Sequence, residues 1–116
     1  MIKFYRTDHK VLSEITEYED NMWVCMTKPT VDETKLIAED FEIDLADVRA
    51  ALDDEESSRV EVEDGYTLIL VDIPSIEMRN EREAYTTIPL GIILVKDILI
   101  TVCAEDTPVL DAFIES

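Results

Sequence analysis

The run Asp53-Asp54-Glu55-Glu56, with Asp44 and Asp47 shortly upstream, holds the side chains whose type and spacing could do chemistry. Hard cations take oxygen ligands, and Mg²⁺ often keeps several waters while using one or two direct carboxylates. Two carboxylates about 7 Å apart in water repel by roughly 0.6 kcal/mol, so one bound divalent ion relieves several such terms together. The spacing does not match a calcium-binding loop, so no preformed cage is expected. A charge run is also commonly a solvated face, and acid at a helix end also suits an interface where a cation bridges like charges.

Other chemistry is poorly provided for. There is no glycine-rich phosphate loop, no Gly-x-Ser-x-Gly and a single histidine, His9, in a polar turn. Catalysis needs a positioned acid, base or nucleophile, so the chain is not expected to be an enzyme. Cys25 and Cys103 lie in apolar strand-like runs and are expected to be buried and reduced. With one histidine they cannot complete a four-ligand zinc site without carboxylates. The formal net charge of −18 over 116 residues opposes binding to phosphate backbones or anionic lipid headgroups. It suits divalent cations or basic partners, and it also keeps a domain soluble.

The elements that would position these residues form one domain of 116 residues. The centre of the pattern is Thr86 to Cys103, two β-branched apolar runs flanking Lys96-Asp97, which reads as a tight hairpin covered on both faces. Proline cannot donate to a ladder, so Pro89 is expected at an edge or near the strand start, with pairing from around Ile92. Further strands are expected over Met1–Arg6, Val11–Thr16, Met22–Met26, Arg59–Glu63 and Tyr66–Ile73. The last continues past Pro74 to Met78, and Arg79–Glu83 is expected as a charged loop. Val60 and Val62 are expected to point inward, with Asp64-Gly65 as the hairpin turn that follows.

Helices are signalled at three places. Thr30 and Glu33 form a capping box after Pro29, and Thr34, Ile37, Ala38 and Phe41 share one stripe. Asp44 caps a second helix whose stripe is Leu45, Val48, Ala51 and Leu52. Asp106 or Thr107 caps a last helix with Pro108 in its first turn and Val109, Leu110 and Phe113 on its apolar face. That pattern is still running at Ser116, as expected of a piece of something longer. The fold class is α/β: a mixed, largely antiparallel sheet with helices packed on its faces.

Four ordered segments resemble the N-terminal cytosolic domain of the CorA family of divalent-cation transporters. Trp23-Val24-Cys25-Met26-Thr27-Lys28-Pro29 is similar to that family's strand end. Pro29 to Phe41 with Glu42-Ile43-Asp44 is similar to its first helix and the phenylalanine–x–isoleucine link. Ser58 to Tyr66 and Ile88 to Val102 are similar to its Arg-Pro-Lys-Val-Glu…Tyr strand and its late hairpin.

The resemblance implies a homopentamer whose α/β domain lies on the cytosolic side of the membrane. A stalk helix and two membrane helices with a Gly-Met-Asn pore signature would follow, and none of these is in the chain. It further implies a regulatory domain in which Mg²⁺ bound between subunits holds the closed state, with Co²⁺, Ni²⁺ or Zn²⁺ as further candidate ions. The family's regulatory aspartate on the second helix aligns with Ala50, preceded by Arg49. Asp47 and Asp53 are each one turn away, so Asp53, Asp54 and Asp47 are the candidate metal residues. A stand-alone acidic module that binds a basic partner and no metal is the competing expectation.

Overall fold

Every expected strand becomes part of a single sheet in the computed structural model, which describes residues 1–53 and 55–115. The strands are β1 (Ile2–Asp8), β2 (Val11–Ile15), β3 (Trp23–Thr27), β4 (Arg59–Val62), β5 (Tyr66–Arg79), β6 (Arg82–Val95) and β7 (Ile98–Cys103), in the spatial order β2-β1-β3-β7-β6-β5-β4. Neighbours are antiparallel except β3 and β7, which run parallel with Trp23 opposite Leu99 and Thr27 opposite Cys103. The sheet is therefore mixed and largely antiparallel.

The continuous apolar run of β3 has a simple cause: it is covered on both faces. Val24 and Met26 point into one cluster with Leu68, Leu70, Ile93, Ile100 and Val102. Above that cluster lie α1 (Val31–Asp40), α2 (Leu45–Val48) and a 3₁₀ turn (Ala50–Leu52), which contribute Ile37, Ala38, Val48, Ala50 and Ala51. Trp23 and Cys25 point the other way, into a cluster with Tyr5, Ile73, Leu90, Cys103 and Leu110 of α3 (Pro108–Glu115). Both cysteines are buried free thiols, and burial pushes each thiol's pKa up.

The caps follow the local sequence. Thr30 Oγ1 accepts from the Glu33 amide at 3.1 Å, and the Thr30 amide donates to Glu33 Oε1 at 2.8 Å. At the other end of α1, Glu42 takes φ 55°, which lets the Ile43 amide reach the Ala38 carbonyl at 2.9 Å. That is the left-handed stop in which glycine is preferred. Asp44 Oδ1 then caps α2 through the Ala46 amide at 3.0 Å.

Four expectations are corrected. The second helix is not continuous: α2 ends at Val48 and the chain tightens into the 3₁₀ turn. The tighter turn of small residues drops onto β6 where Gly91 leaves room, and a Cβ on Gly91 would lie 3.1 Å from Ala51 Cβ. Val60 and Val62 point outward, 65% and 81% exposed, because the covered face of β4 is the one that carries Arg59 and Glu61. Glu61 lies opposite Leu68, which belongs to the helix-covered cluster. The charged segment Arg79–Glu83 is no loop, since β5 and β6 pair out to Arg79↔Arg82 around a two-residue turn. Asn80 and Glu81 take φ 51° and 63° there, as a hairpin turn with positive φ at both central residues requires.

Pro89 is the fourth. It lies in mid-strand, and pairing with β7 begins at Leu90 rather than Ile92. Antiparallel positions alternate between bonded and non-bonded pairs. The pairs Asp72↔Pro89 and Pro74↔Thr87 must be non-bonded, since proline has no N–H. Each proline therefore aims its missing donor at an outer edge of the β5–β6 ribbon, beyond the reach of β7 on one side and β4 on the other. Among the described residues no helix is long and apolar enough to cross a membrane.

Candidate functional site

The candidate cation site is assembled where α2 lies beside the end of β4 and the start of β5. Asp44 opens α2 as its cap, which sets Asp47 one turn in. The Asp64-Gly65 turn, with Gly65 at φ 93°, brings Tyr66 back beneath it. The Tyr66 hydroxyl donates to Asp47 Oδ2 at 2.5 Å and accepts from the Asp44 amide at 3.3 Å. Burial, then the bond to Asp47, pushes the Tyr66 phenol up to about 12.

Beside Asp47, the outward turn of the valines brings the acids of β4 to the helix side. Asp47, Glu61 and Glu63 each place one carboxylate oxygen within 4.8 Å of the others. In water, two unit charges at that separation repel by roughly 0.9 kcal/mol. Arg59 offsets part of this, its Nε donating to Glu61 Oε1 at 2.6 Å and its Nη1 to Glu56 Oε2 at 2.5 Å. Asp47 and Glu61 are half-buried and Glu63 is exposed, so a cation here would keep water on its open side. That suits Mg²⁺, which holds on to several waters.

The structure distributes the sequence candidates unequally. Asp47 joins the three-carboxylate cluster. Asp53 sits apart from it, exposed at the end of the 3₁₀ turn, where its Oδ1 accepts from the Glu55 amide at 3.0 Å. Asp54 lies outside the described residues. Ala50 is 6% exposed in the apolar cluster beneath the helices. A carboxylate there would be buried among apolar groups, whereas Asp47, one turn earlier, reaches polar surroundings.

Glu61, Glu63 and Tyr66 escaped the sequence reading. Their signal was the alternation Arg59-Val60-Glu61-Val62-Glu63, which defines two faces without saying which one lies under helices.

Residues 18–116 match the family described as CorA-like Mg2+ transporter protein. No curated protein matches the chain. Among solved structures, the soluble domain of CorA from Methanocaldococcus jannaschii superposes with a TM-score of 0.80 at 21% identity, over 99% of this chain and 45% of that one. The complete CorA magnesium transporter of the same organism gives 0.74 at 16% identity, over 99% of this chain and 36% of that one. The ZntB cytoplasmic domain from Vibrio parahaemolyticus gives 0.70 at 15% identity, over 95% of this chain and 46% of that one. The chain thus spans less than half the length of each of these structures, and all three share its fold. With the family match covering residues 18–116, the chain belongs to the CorA-like Mg²⁺ transporter family.

Proposed function

We propose that this chain is the cation-sensing part of a longer CorA-like transporter of Mg²⁺ or a related divalent ion, placed on the cytoplasmic side of the membrane. The observation that carries the sensing role is the meeting of Asp47, Glu61 and Glu63 within 4.8 Å at an open surface. Asp53 and Asp54, which follow α2 in the sequence, are the acids that a second ion, or a second subunit, would engage. In a homopentamer, an ion shared between such acidic faces would stabilise the closed arrangement, and its loss would free the subunits to move.

An exposed apolar strip supports a longer protein. Val60, Val62 and Leu94 all lie on the α3 side of the sheet and are 65%, 81% and 45% exposed. A following segment of chain or a neighbouring subunit would cover them.

Thermal unfolding with millimolar MgCl₂ against NaCl of equal ionic strength tests the sensing role. The wild-type chain is expected to gain several degrees from Mg²⁺ beyond the NaCl control, with the gain reduced in Asp47→Asn and Glu61→Gln. Equal melting in both salts would overturn cation sensing at this cluster. Reading the native gene past the codon for Ser116 tests the transporter context, which a stop codon there would exclude.

A further inference from the structure

The β6 edge next to β7 stops being a ladder while the strand continues. Pairing with β7 runs from Val95↔Ile98 to Leu90↔Cys103, whereas β6 extends back to Arg82. Because Asp72↔Pro89 and Pro74↔Thr87 are non-bonded pairs, Pro89 and Thr87 direct their backbone groups away from β5, along the line β7 would follow if it were longer. The Cys103 thiol, 3.8 Å from the Pro89 carbonyl, marks the same direction. A notch of about 400 Å³ lies there, walled by Thr86, Thr87, Ile88 and Pro89 and by three acids, Glu56, Asp72 and Glu105.

The acids flank the notch on both faces of the sheet. Asp72 shares the α1–α2 face with Leu70, and the Ser58 hydroxyl donates to it at 3.4 Å. Glu105 lies on the α3 side, where the Ser75 hydroxyl donates to it at 2.6 Å. These hydroxyls solvate the two carboxylates without neutralising them. Glu56 is the one already paired, with Arg59.

We propose that this notch receives an extended basic peptide segment of another polypeptide, added as a strand beside β6 and in line with β7. An added strand gains affinity from main-chain hydrogen bonds, here to the N–H and C=O of the exposed Thr87, and specificity from alternating side chains. Lysines or arginines on successive positions of that segment meet Asp72 and Glu56 on one face and Glu105 on the other. Charge decides the occupant: three carboxylates wall the notch on a chain of net charge −18, so a basic segment is drawn in. The inference does not rest on the cation-sensing reading.

The test uses the 116-residue chain and two capped hexapeptides of equal charge. One is Lys-Val-Arg-Lys-Val-Arg, and the other has proline in place of both valines, which removes two N–H donors. The first is expected to bind at least tenfold tighter and to slow hydrogen exchange of the Thr87 amide. Asp72→Asn and Glu105→Gln should each weaken it severalfold while leaving the melting temperature unchanged. Equal affinity for both peptides, or unchanged exchange at Thr87, would show mere adherence to an acidic surface and overturn the proposal.

Discussion

Tyr66 and Asp47 are joined by a 2.5 Å hydrogen bond that ties the first turn of α2 to the start of β5. The same hydroxyl accepts from the Asp44 amide, so one phenol holds both the cap and the candidate ligand. Replacing it with phenylalanine is expected to lower stability by about 1–2 kcal/mol, read from denaturant midpoints at pH 7.

Alkaline titration separates this bond from simple packing. The Tyr66 phenol is raised to about 12, as is Tyr18, which burial and its bond to Asp40 affect in the same way. In the unfolded chain both would ionise near the ordinary phenol value of 10.0. Their contribution is thus fully present below pH 10 and lost as pH rises through the folded value. Stability should fall across that window, and less steeply in Tyr66→Phe. An identical slope in the variant would show that the bond does not hold the proton.

Acid works in the opposite sense at Glu33. Its carboxyl is held below the usual range by the Thr30 amide first and then by the Met1 ammonium, 2.9 Å away. A depressed folded value means stabilisation present above the unfolded value of 4.5 and lost as pH falls through the folded one. Glu33→Gln is expected to cost about 0.5–1 kcal/mol at pH 7 and to converge with wild type in acid. Urea midpoints from pH 7 to pH 3 decide it.

Glu42 offers a gain. It sits exposed at φ 55° as the left-handed stop of α1. Glycine there relieves the strain of a side chain in that region, so Glu42→Gly should stabilise by about 1 kcal/mol, or roughly 4 °C in melting temperature. A lower melting temperature would mean that Glu42 makes a favourable contact outweighing its strain.

Gly91 and Val62 make a contrasting pair. Ala51 lies 3.1 Å from where a Cβ on Gly91 would sit, and both are buried between sheet and helices. Gly91→Ala should therefore cost about 1–3 kcal/mol through overpacking. Val62→Thr, at 81% exposure, should stay within about 0.5 kcal/mol. Denaturant midpoints of the two variants are the measurement, and a reversed order would mean that the strip is a packed surface in solution.

Local signals carried much of the architecture. Thr30 and Glu33 announced α1, and the two apolar runs around Lys96-Asp97 announced the central hairpin, because capping and buried-strand patterns are satisfied within a few residues. What remained hidden depends on distant neighbours. Whether Val60 or Glu61 lies under a helix is decided by α2, and the break after Val48 is decided by a glycine on β6. The cluster of Asp47 with Glu61 and Glu63 needed both facts. The acid run at Asp53–Glu56 was the more visible signal, yet adjacency in sequence did not bring Asp53 to Asp47.

The parallel pairing of β3 with β7 has a consequence in time. The remaining strand contacts lie within two groups, β1–β3 and β4–β7, most of them hairpins local in sequence. Among the described residues only the β3–β7 strand seam joins them, and Trp23 meets Thr101 across it from 78 positions away, through a 2.9 Å hydrogen bond. Distant pairings must close a long loop before any contact rewards it, which slows the step that makes them. Two hairpin halves should therefore form early and wait for one late closure. Trp23 is the chain's single tryptophan and stands on that seam, so its fluorescence during refolding would time the moment the two halves become one sheet.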